Sequence, residues 1–366
     1  MLRHIDELGG VVVYTRNIIE NLLKIDSEND YIFIYNDPSL IGTYSKYKNV
    51  EEVVVNIQNK LLWDQVGVPR LVKTEKIDII FNPKLSIPLF ASCKRVFVLH
   101  GLEQFALPNV FKWYDQLYFR IMMPLFCRWA DAVIVPTNIG KNDLMKYLHV
   151  RSNKIEVIND SYHQRFEVKK NTENLLAIKQ KYNLPDKFIL FVGGLAPLKN
   201  FSNIIKAFNI VRMKTPLKLV VAGFKRWKYS KDLELINRLK LQSDILTLGF
   251  VPDDDLPYIY NLAQCFVFPS LYEGFGIPVL EAQACGCPVI STKTGATPEV
   301  SGGAALLVNP YNHREIAQAL YDILTDENLK ESLIKAGLEN VKKYSWVETA
   351  KKTLQLLKKY LSLELL

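Results

Sequence analysis

Short apolar runs rich in β-branched and aromatic residues alternate with amphipathic stretches along the first half of the chain. Two of the stretches between them, VVVYTRNIIENLLKI and KNDLMKYLHV, carry apolar residues at the helical period. This alternation is typical of a parallel sheet covered by helices. The predicted strands of this half are residues 31–36, 50–57, 77–83, 95–101, 131–137 and 154–160.

A polar stretch at 161–185, without a predicted strand, separates this half from a second series of strands and helices. The predicted strands of the second half are residues 188–194, 217–223, 245–250, 265–270, 288–292 and 304–310. A length of 366 residues fits two domains. We therefore predict an α/β fold of two Rossmann-like domains, with ligands outside the carboxyl ends of the strands and the cleft between the domains as the default site.

The segment EGFGIPVLEAQACG, which begins at Glu273, combines two carboxylates with a glycine-rich bend. Glu273 lies in a loop, and Glu281 lies one turn into a helix predicted to begin near Ile277. Gly274 and Gly276 allow backbone amides to approach a ligand, and a helix N-terminus favours phosphate. Because carboxylates accept hydrogen bonds from sugar hydroxyls, this segment predicts a site for the ribose, the diphosphate and the sugar of a nucleotide sugar.

The composition narrows the class of partner. The chain has 49% hydrophobic and 23% charged residues, as ordinary globular proteins do. Five cysteines without Cys-x-x-Cys spacing argue against a disulfide framework or a zinc site and favour a reducing cytosol. The net charge of +8 favours anionic partners, and without a nucleic-acid motif these are phosphorylated substrates or an acidic membrane.

The same composition gives an expectation for location. No apolar run reaches the roughly 18 residues of a membrane-spanning helix, and no signal-peptide pattern opens the chain. We therefore expect a cytoplasmic protein that contacts the inner face of the membrane peripherally. The aromatic and basic stretch 109–129 is a candidate surface for a membrane or an acceptor; the alternative is a helix that simply faces the core.

These motifs closely resemble those of the retaining glycosyltransferases of family 4, which have the GT-B fold, and the resemblance covers most of the chain. The Glu-x7-Glu segment carries the family signature, and FVGGLAPLKNFSNIIKAF is similar to the family's phosphate-binding strand–loop–helix. The other matching segments are LGFVPDDDLPYIYNLAQCFVFPS on the base side, TGATPEVSGGAALLVNP, YSWVETAKKTL, GGVVVYTRNIIENLL, RVFVLHGLEQF and ADAVIVPTNIGKNDL.

The resemblance implies a role for each matching residue. Glu281 would bind the ribose hydroxyls, Glu273 the hydroxyls of the donor sugar, and Lys199 the diphosphate leaving group, while His100 would lie beside the donor sugar. Catalysis would thus rest on His100, Glu273 and Lys199. Further contacts with the nucleotide sugar are implied for Gly9, Gly10, Gly194, Val251, Gly274, Phe275, Gly276, Ile277 and Val279.

The implied reaction moves a hexose from a nucleotide diphosphate sugar, GDP-mannose or a UDP-sugar, to a saccharide or lipid-linked acceptor with retained configuration. It would serve surface polysaccharide or glycoconjugate synthesis without a metal or a cofactor. One departure weakens the cationic clamp, because many relatives have an arginine where this chain has Gly194. A sugar-nucleotide epimerase and a non-catalytic nucleotide- or glycan-binding protein are the alternatives.

The predicted domains are an acceptor domain at 1–165, a donor domain at 166–345 and a C-terminal helix at 346–366 that crosses back to the first domain. Only eight residues, MLRHIDEL, precede the first glycine pair, so we expect the first strand of the first sheet to be missing. We expect the acidic run Asp253–Asp255 to cap a helix and not to bind a metal.

Overall fold

The computed structural model describes residues 1–2, 9–223 and 230–362. The chain divides into two compact units: unit 1 comprises Met1–Asp160 and Ser345–Leu366, and unit 2 comprises Ser161–Tyr344. The two breaks lie near the predicted domain boundaries at residues 165 and 345. All strand pairings in both units are parallel, as expected for the α/β class.

The described part of unit 1 contains a two-stranded sheet and a four-stranded sheet. The first pairs β1 with β2, and the second has the order β3-β4-β5-β6. The strands are β1 (Tyr31–Tyr35), β2 (Val50–Val54), β3 (Ile79–Asn82), β4 (Lys94–Val98), β5 (Ala132–Val135) and β6 (Ile155–Val157). The helices that accompany them are α1 (Gly10–Ile25), α2 (Lys60–Leu62), α3 (Val68–Thr74), α4 (Glu103–Ala106), α5 (Trp113–Trp129) and α6 (Asn138–Leu148).

The first two residues lie next to both sheets of unit 1. The Leu2 amide donates to the Ile34 carbonyl at 2.9 Å, and the amino group of Met1 donates to the Phe81 carbonyl at 3.1 Å. Both side chains are buried. The rest of MLRHIDEL, on which the expectation of a missing strand depends, lies outside the described residues.

Unit 2 contains one six-stranded sheet in its described residues, with the order β12-β11-β10-β7-β8-β9. The strands are β7 (Phe188–Val192), β8 (Lys218–Ala222), β9 (Ile245–Gly249), β10 (Cys265–Phe268), β11 (Val289–Thr292) and β12 (Leu306–Val308). The helices are α7 (Thr172–Lys181), α8 (Phe201–Val211), α9 (Ser230–Arg238), α10 (Leu256–Leu262), α11 (Ile277–Ala284), α12 (Thr297–Ser301), α13 (His313–Thr325) and α14 (Glu327–Val341). Every residue of β10 and β11 is buried, which explains the wholly apolar sequence of β10, whereas β11 ends in the buried polar residues Ser291 and Thr292.

The last helix, α15 (Trp346–Ser362), belongs to unit 1 and packs against α1. Thr349 donates from its hydroxyl to the Asn159 carbonyl at 2.7 Å, which fixes the start of the helix beside the end of β6. Within the described ranges, no helix combines the length and the apolar character needed to cross a bilayer.

The acidic run lies in the N-cap region of α10, as expected, because Asp255 is the N-cap residue of this helix. Asp255 precedes this helix but makes no capping hydrogen bond with its side chain. Its carboxylate instead accepts from Lys181 Nζ at 2.7 Å and from the Tyr182 hydroxyl at 2.6 Å, while Asp254 accepts from Arg165 at 2.9 Å. These aspartates therefore attach α10 to the segment that opens unit 2.

Candidate functional site

The loop between β10 and α11 lies at the carboxyl edge of the sheet of unit 2, where a parallel sheet binds its ligands. Glu273 lies in this loop, and α11 begins at Ile277 with a proline in its first turn. Gly276 has φ +101° immediately before the helix, a conformation that glycine adopts without strain. The structure thus has the bend and the helix start that the sequence predicted.

Lys199 and Glu273, 74 positions apart in the chain, form a direct ion pair. Lys199 Nζ donates to Glu273 Oε1 at 2.5 Å, and the two side chains are 24% and 13% exposed. The ammonium group also lies 5.0 Å from the ring centroid of Phe268, at the end of β10. The structure therefore brings together the two residues proposed to hold the leaving group and the donor sugar.

Asn200 fixes the backbone around this pair, a role that the sequence reading missed. It has φ +59° at the start of α8, and its buried side-chain amide donates to the carbonyl of Pro269 at 2.9 Å and to that of Pro310 at 2.6 Å. These carbonyls follow β10 and β12. Leu271 adds a backbone hydrogen bond to Leu198 at 2.8 Å. The loop with Lys199 is thereby attached to the loop with Glu273.

Close backbone approach explains two glycines at this edge. A Cβ atom on Gly223 would lie 2.0 Å from the Gly193 carbonyl oxygen, and one on Gly295 would lie 2.8 Å from both the amide nitrogen and the carbonyl oxygen of Glu273. Gly194, which the sequence placed just after the glycine of the phosphate loop, follows Gly193, and its carbonyl accepts from the Ala196 amide at 2.8 Å. A glycine that directly follows a strand was the available signal for Gly193 and Gly223.

The side chain of Glu281 has a less polar environment than that of Glu273. Its Oε2 accepts a hydrogen bond of 3.3 Å from the hydroxyl of the buried Tyr260. Burial, with a contribution from the charge of Asp253, raises the pKa of Glu281 to about 8, although Tyr260 and Arg165 oppose the shift. The carboxyl is therefore protonated at neutral pH, and hydroxyl donors would favour its charged form.

The backbone amides at the start of α11 differ in their partners. The Val279 amide donates to the Gly276 carbonyl at 2.9 Å, which makes Ile277 the better candidate of the two proposed phosphate donors. The side chains of Ile277, Val279 and Phe275 are buried, and the Phe275 ring packs edge-on against Tyr344 at 5.8 Å. Gly274 lies between Glu273 and this packed ring.

Val251 is the proposed residue on the base side. It follows β9, and its side chain is buried. Any contact with a nucleotide at this position would therefore involve its backbone more readily than its side chain.

The remaining predicted residues lie in unit 1. His100 follows β4, and its Nε2–H donates to the Pro83 carbonyl at 2.8 Å, since a carbonyl only accepts. The other ring nitrogen lies 3.9 Å from Asp160 Oδ2, too far for a hydrogen bond. Burial lowers the pKa of His100 to about 4 and raises that of Asp160 to about 8. Both groups are thus neutral at pH 7, and they form no ion pair.

Gly9 and Gly10 begin α1, the helix that contacts His100. The Gly9 carbonyl accepts from the Val12 amide at 3.0 Å, and both glycines are exposed. The Tyr14 ring, one turn further along, packs edge-on against the His100 ring with centroids 4.7 Å apart. The sequence reading did not single out Tyr14 or Asp160, the two buried groups around His100.

Two family models match the chain. Residues 8–160 match the model described as Glycosyltransferase Family 4, and residues 174–340 match the one described as Glycosyl transferases group 1. A glycosyltransferase of Methanocaldococcus jannaschii, described as uncharacterized, is 30% identical over 96% of this chain and 94% of its own length. An O-antigen chain mannosyltransferase B of Escherichia coli is 29% identical over 62% of this chain. The match covers 60% of the length of that relative, which is less than two thirds.

A solved structure, that of Anabaena Alr3699/HepE in complex with UDP and glucose, superposes with a TM-score of 0.78. The superposition covers 96% of this chain and 97% of the Anabaena chain at 18% sequence identity, so it supports the fold alone. The two family models each match one half of the chain, and the archaeal relative matches nearly all of it. The chain belongs to the family 4 glycosyltransferases and has the GT-B fold.

Proposed function

We propose that the protein transfers a hexose from a nucleotide diphosphate sugar to an acceptor hydroxyl with retention of the anomeric configuration. The observation that carries this proposal is the Lys199–Glu273 pair at the carboxyl edge of the sheet, beside the N-terminus of α11. A cation, a carboxylate and helix amides at one edge suit a diphosphate and the hydroxyls of an attached sugar.

In the proposed reaction, the bond between the anomeric carbon and the diphosphate breaks, and the diphosphate keeps the electron pair. The acceptor oxygen bonds to the same face of the anomeric carbon, and its proton passes to the departing phosphate. Lys199 stabilises the charge that develops on the phosphate, so its effect is larger in the transition state than in the ground state. Glu273 orients the sugar, and Glu281 binds the ribose.

His100 acts in this proposal as a neutral group. Its pKa of about 4 keeps the imidazole uncharged at neutral pH, so it does not repel the positive charge that develops on the sugar ring. A preorganised neutral dipole can stabilise such a charge without reorganisation. The packing of His100 against Tyr14 and its hydrogen bond to Pro83 hold the ring in one orientation.

The donor is proposed to be GDP-mannose or a UDP-sugar, and the acceptor a saccharide or lipid-linked saccharide in surface polysaccharide or glycoconjugate synthesis. The Escherichia coli relative is named as a mannosyltransferase of O-antigen chains, and the Anabaena structure contains UDP and glucose. We also propose that transfer needs no metal, and that the protein works in the cytoplasm in peripheral contact with an acidic membrane, which its net charge of +8 favours.

The test is to incubate the purified protein with GDP-mannose or UDP-sugars, with and without an oligosaccharide acceptor, and to measure nucleoside diphosphate release. Release that requires the acceptor and persists in EDTA is expected. Release of sugar without an acceptor, or conversion of the donor to an isomer, would indicate the epimerase. Donor binding without turnover for any acceptor would indicate the non-catalytic protein.

The stereochemistry is tested on the product. NMR of the new glycosidic bond should show the same anomeric configuration as the donor. An inverted product would refute the retaining mechanism, and activity lost in EDTA and restored by magnesium would refute metal independence. Lys199→Met is the matched inactive control, because it removes the ammonium group and keeps an unbranched side chain.

A further inference from the structure

One face of α5 exposes a row of large apolar side chains. Positions 113, 117, 121, 125 and 129 are Trp, Leu, Ile, Leu and Trp, and between 37% and 76% of each side chain is exposed. At about 100° per residue, a step of four positions turns by about 40°, so these five side chains form one oblique stripe that covers about 160° of the helix circumference. We call them the α5 stripe. The opposite face of α5 packs into the core of unit 1.

Neighbouring segments extend this apolar surface at both sides. Lys60 Nζ lies 5.6 Å from the ring centroid of Tyr118 in α5, which brings the half-exposed Leu61 and Leu62 of α2 close to the stripe. At the other end, Arg95 lies 5.8 Å from the ring centroid of Trp129 and donates to the Leu89 carbonyl at 2.9 Å, next to the exposed Phe90. Apolar surface concentrated in this way marks an interaction site.

A cationic cavity adjoins the C-terminal end of the stripe. It measures about 480 Å³ and is lined by Arg95, Arg128, Trp129, Ala130, Asp131 and Lys154. Three cations thus face one carboxylate. Asp131 also lies 3.9 Å from Lys94, whereas Arg128 has no carboxylate partner within the described ranges. The Nε of Arg95 is buried without a hydrogen bond and lies 3.9 Å from Asp131 Oδ2. The cavity therefore favours an anion with several acceptor oxygens, such as a phosphate.

We propose that the α5 stripe and this cavity dock the protein on an anionic lipid bilayer, with the stripe at the level of the acyl–headgroup boundary and a headgroup phosphate in the cavity. Amphipathic helices with aromatic residues at the interface and cations beside them bind anionic membranes in this way. The proposal names the surface for the membrane contact in the proposed function, but it is tested without donor, acceptor or turnover.

The experiment is co-sedimentation of the full chain with vesicles of phosphatidylcholine, with and without phosphatidylglycerol. We expect binding that requires the anionic lipid. Leu117→Gln/Ile121→Gln should weaken it about 25-fold and, separately, Arg128→Gln about five-fold, since each interfacial group contributes roughly five-fold. Leu176→Gln/Met213→Gln, at exposed positions of unit 2, is the matched control and should bind as the wild type does.

Tryptophan fluorescence gives a second readout. Anionic vesicles should shift the emission of the wild type to shorter wavelength, and Trp113→Phe/Trp129→Phe should abolish the shift. Equal binding by the stripe variant and the control, or equal binding to both vesicle types, would overturn the proposal. A dimer in light scattering that only the stripe variant converts to monomer, without vesicle binding, would assign the surface to a second copy. These binding measurements do not depend on glycosyl transfer, so an inactive protein would not change their interpretation.

Discussion

Glu273→Gln should increase the affinity for a nucleoside diphosphate that lacks its sugar. In the structure Lys199 donates to the carboxylate of Glu273 at 2.5 Å. If Lys199 also binds the diphosphate, the ligand must compete with Glu273 for the same ammonium group. A neutral amide competes less well, so the variant should bind the diphosphate more tightly and the sugar less productively.

The magnitude follows from the burial of the pair. With exposures of 24% and 13%, the pair lies between the surface and the interior. A hydrogen bond between charged groups contributes about 1.5–3 kcal/mol and a bond to a neutral partner about 0.5–1.5 kcal/mol. The difference of about 1–1.5 kcal/mol corresponds to roughly five- to twelve-fold tighter binding of the nucleoside diphosphate.

Isothermal titration calorimetry with GDP and UDP measures this change, and a double-mutant cycle shows its origin. Removing a negative charge would also attract an anion through the general field of the site. In a Lys199→Met background that general effect remains, whereas the release of Lys199 from Glu273 does not. We therefore expect the gain from Glu273→Gln to disappear in this background. An unchanged or weaker affinity of the single variant, or an equal gain in both backgrounds, would refute the competition.

Two further predictions concern Glu281 and Gly295. The raised pKa of about 8 means that Glu281 in the folded protein holds a proton that the unfolded chain loses near pH 4.5, so the free energy of unfolding should fall as pH rises through this window. Glu281→Gln should make this fall smaller in urea titrations, and the part that remains is expected from Asp160, whose pKa is also raised to about 8. If the ribose hydroxyls favour the charged carboxylate, nucleoside diphosphate affinity should also rise by up to about tenfold per pH unit toward pH 8. Any pH dependence of the affinity that persists in Glu281→Gln comes from titration of the ligand and not of Glu281. Gly295→Ala should lower turnover because its Cβ would press on the backbone of Glu273. The control is Gly303→Ala, at a glycine with φ +80° and nothing within 4 Å, which should lose only about 1–2 kcal/mol of stability through backbone strain. Equal turnover in the two variants would show that Gly295 does not support the function of Glu273.

The central strands could be predicted from the sequence because they are buried on both faces. All residues of β10 are buried, so apolar character runs through this strand without interruption. Helix α7 could not be predicted in the same way, since Ile178 is its single buried residue and its apolar pattern is therefore weak. Its start is set by the Asn171 side chain, which accepts from two amides, a local signal that does not fix the length of a helix.

The positions of the candidate residues in the site could be predicted, but their interactions could not. The resemblance assigns Lys199 to the diphosphate and Glu273 to the donor sugar. It does not show that these two side chains, 74 positions apart in the chain, also pair with each other. It likewise assigns the ribose to the carboxylate of Glu281, but it does not show that this carboxyl is buried beside Tyr260 and that burial raises its pKa to about 8. Both features act in the same direction, because they lower the charge that each side chain offers to a nucleotide. With Gly194 in place of an arginine, the proposed phosphate site then depends, among the residues that the structure describes, on one cation that is shared with a carboxylate and on backbone amides. Its affinity for a diphosphate should therefore respond more to Glu273, the competitor, than a list of ligand-binding residues would suggest.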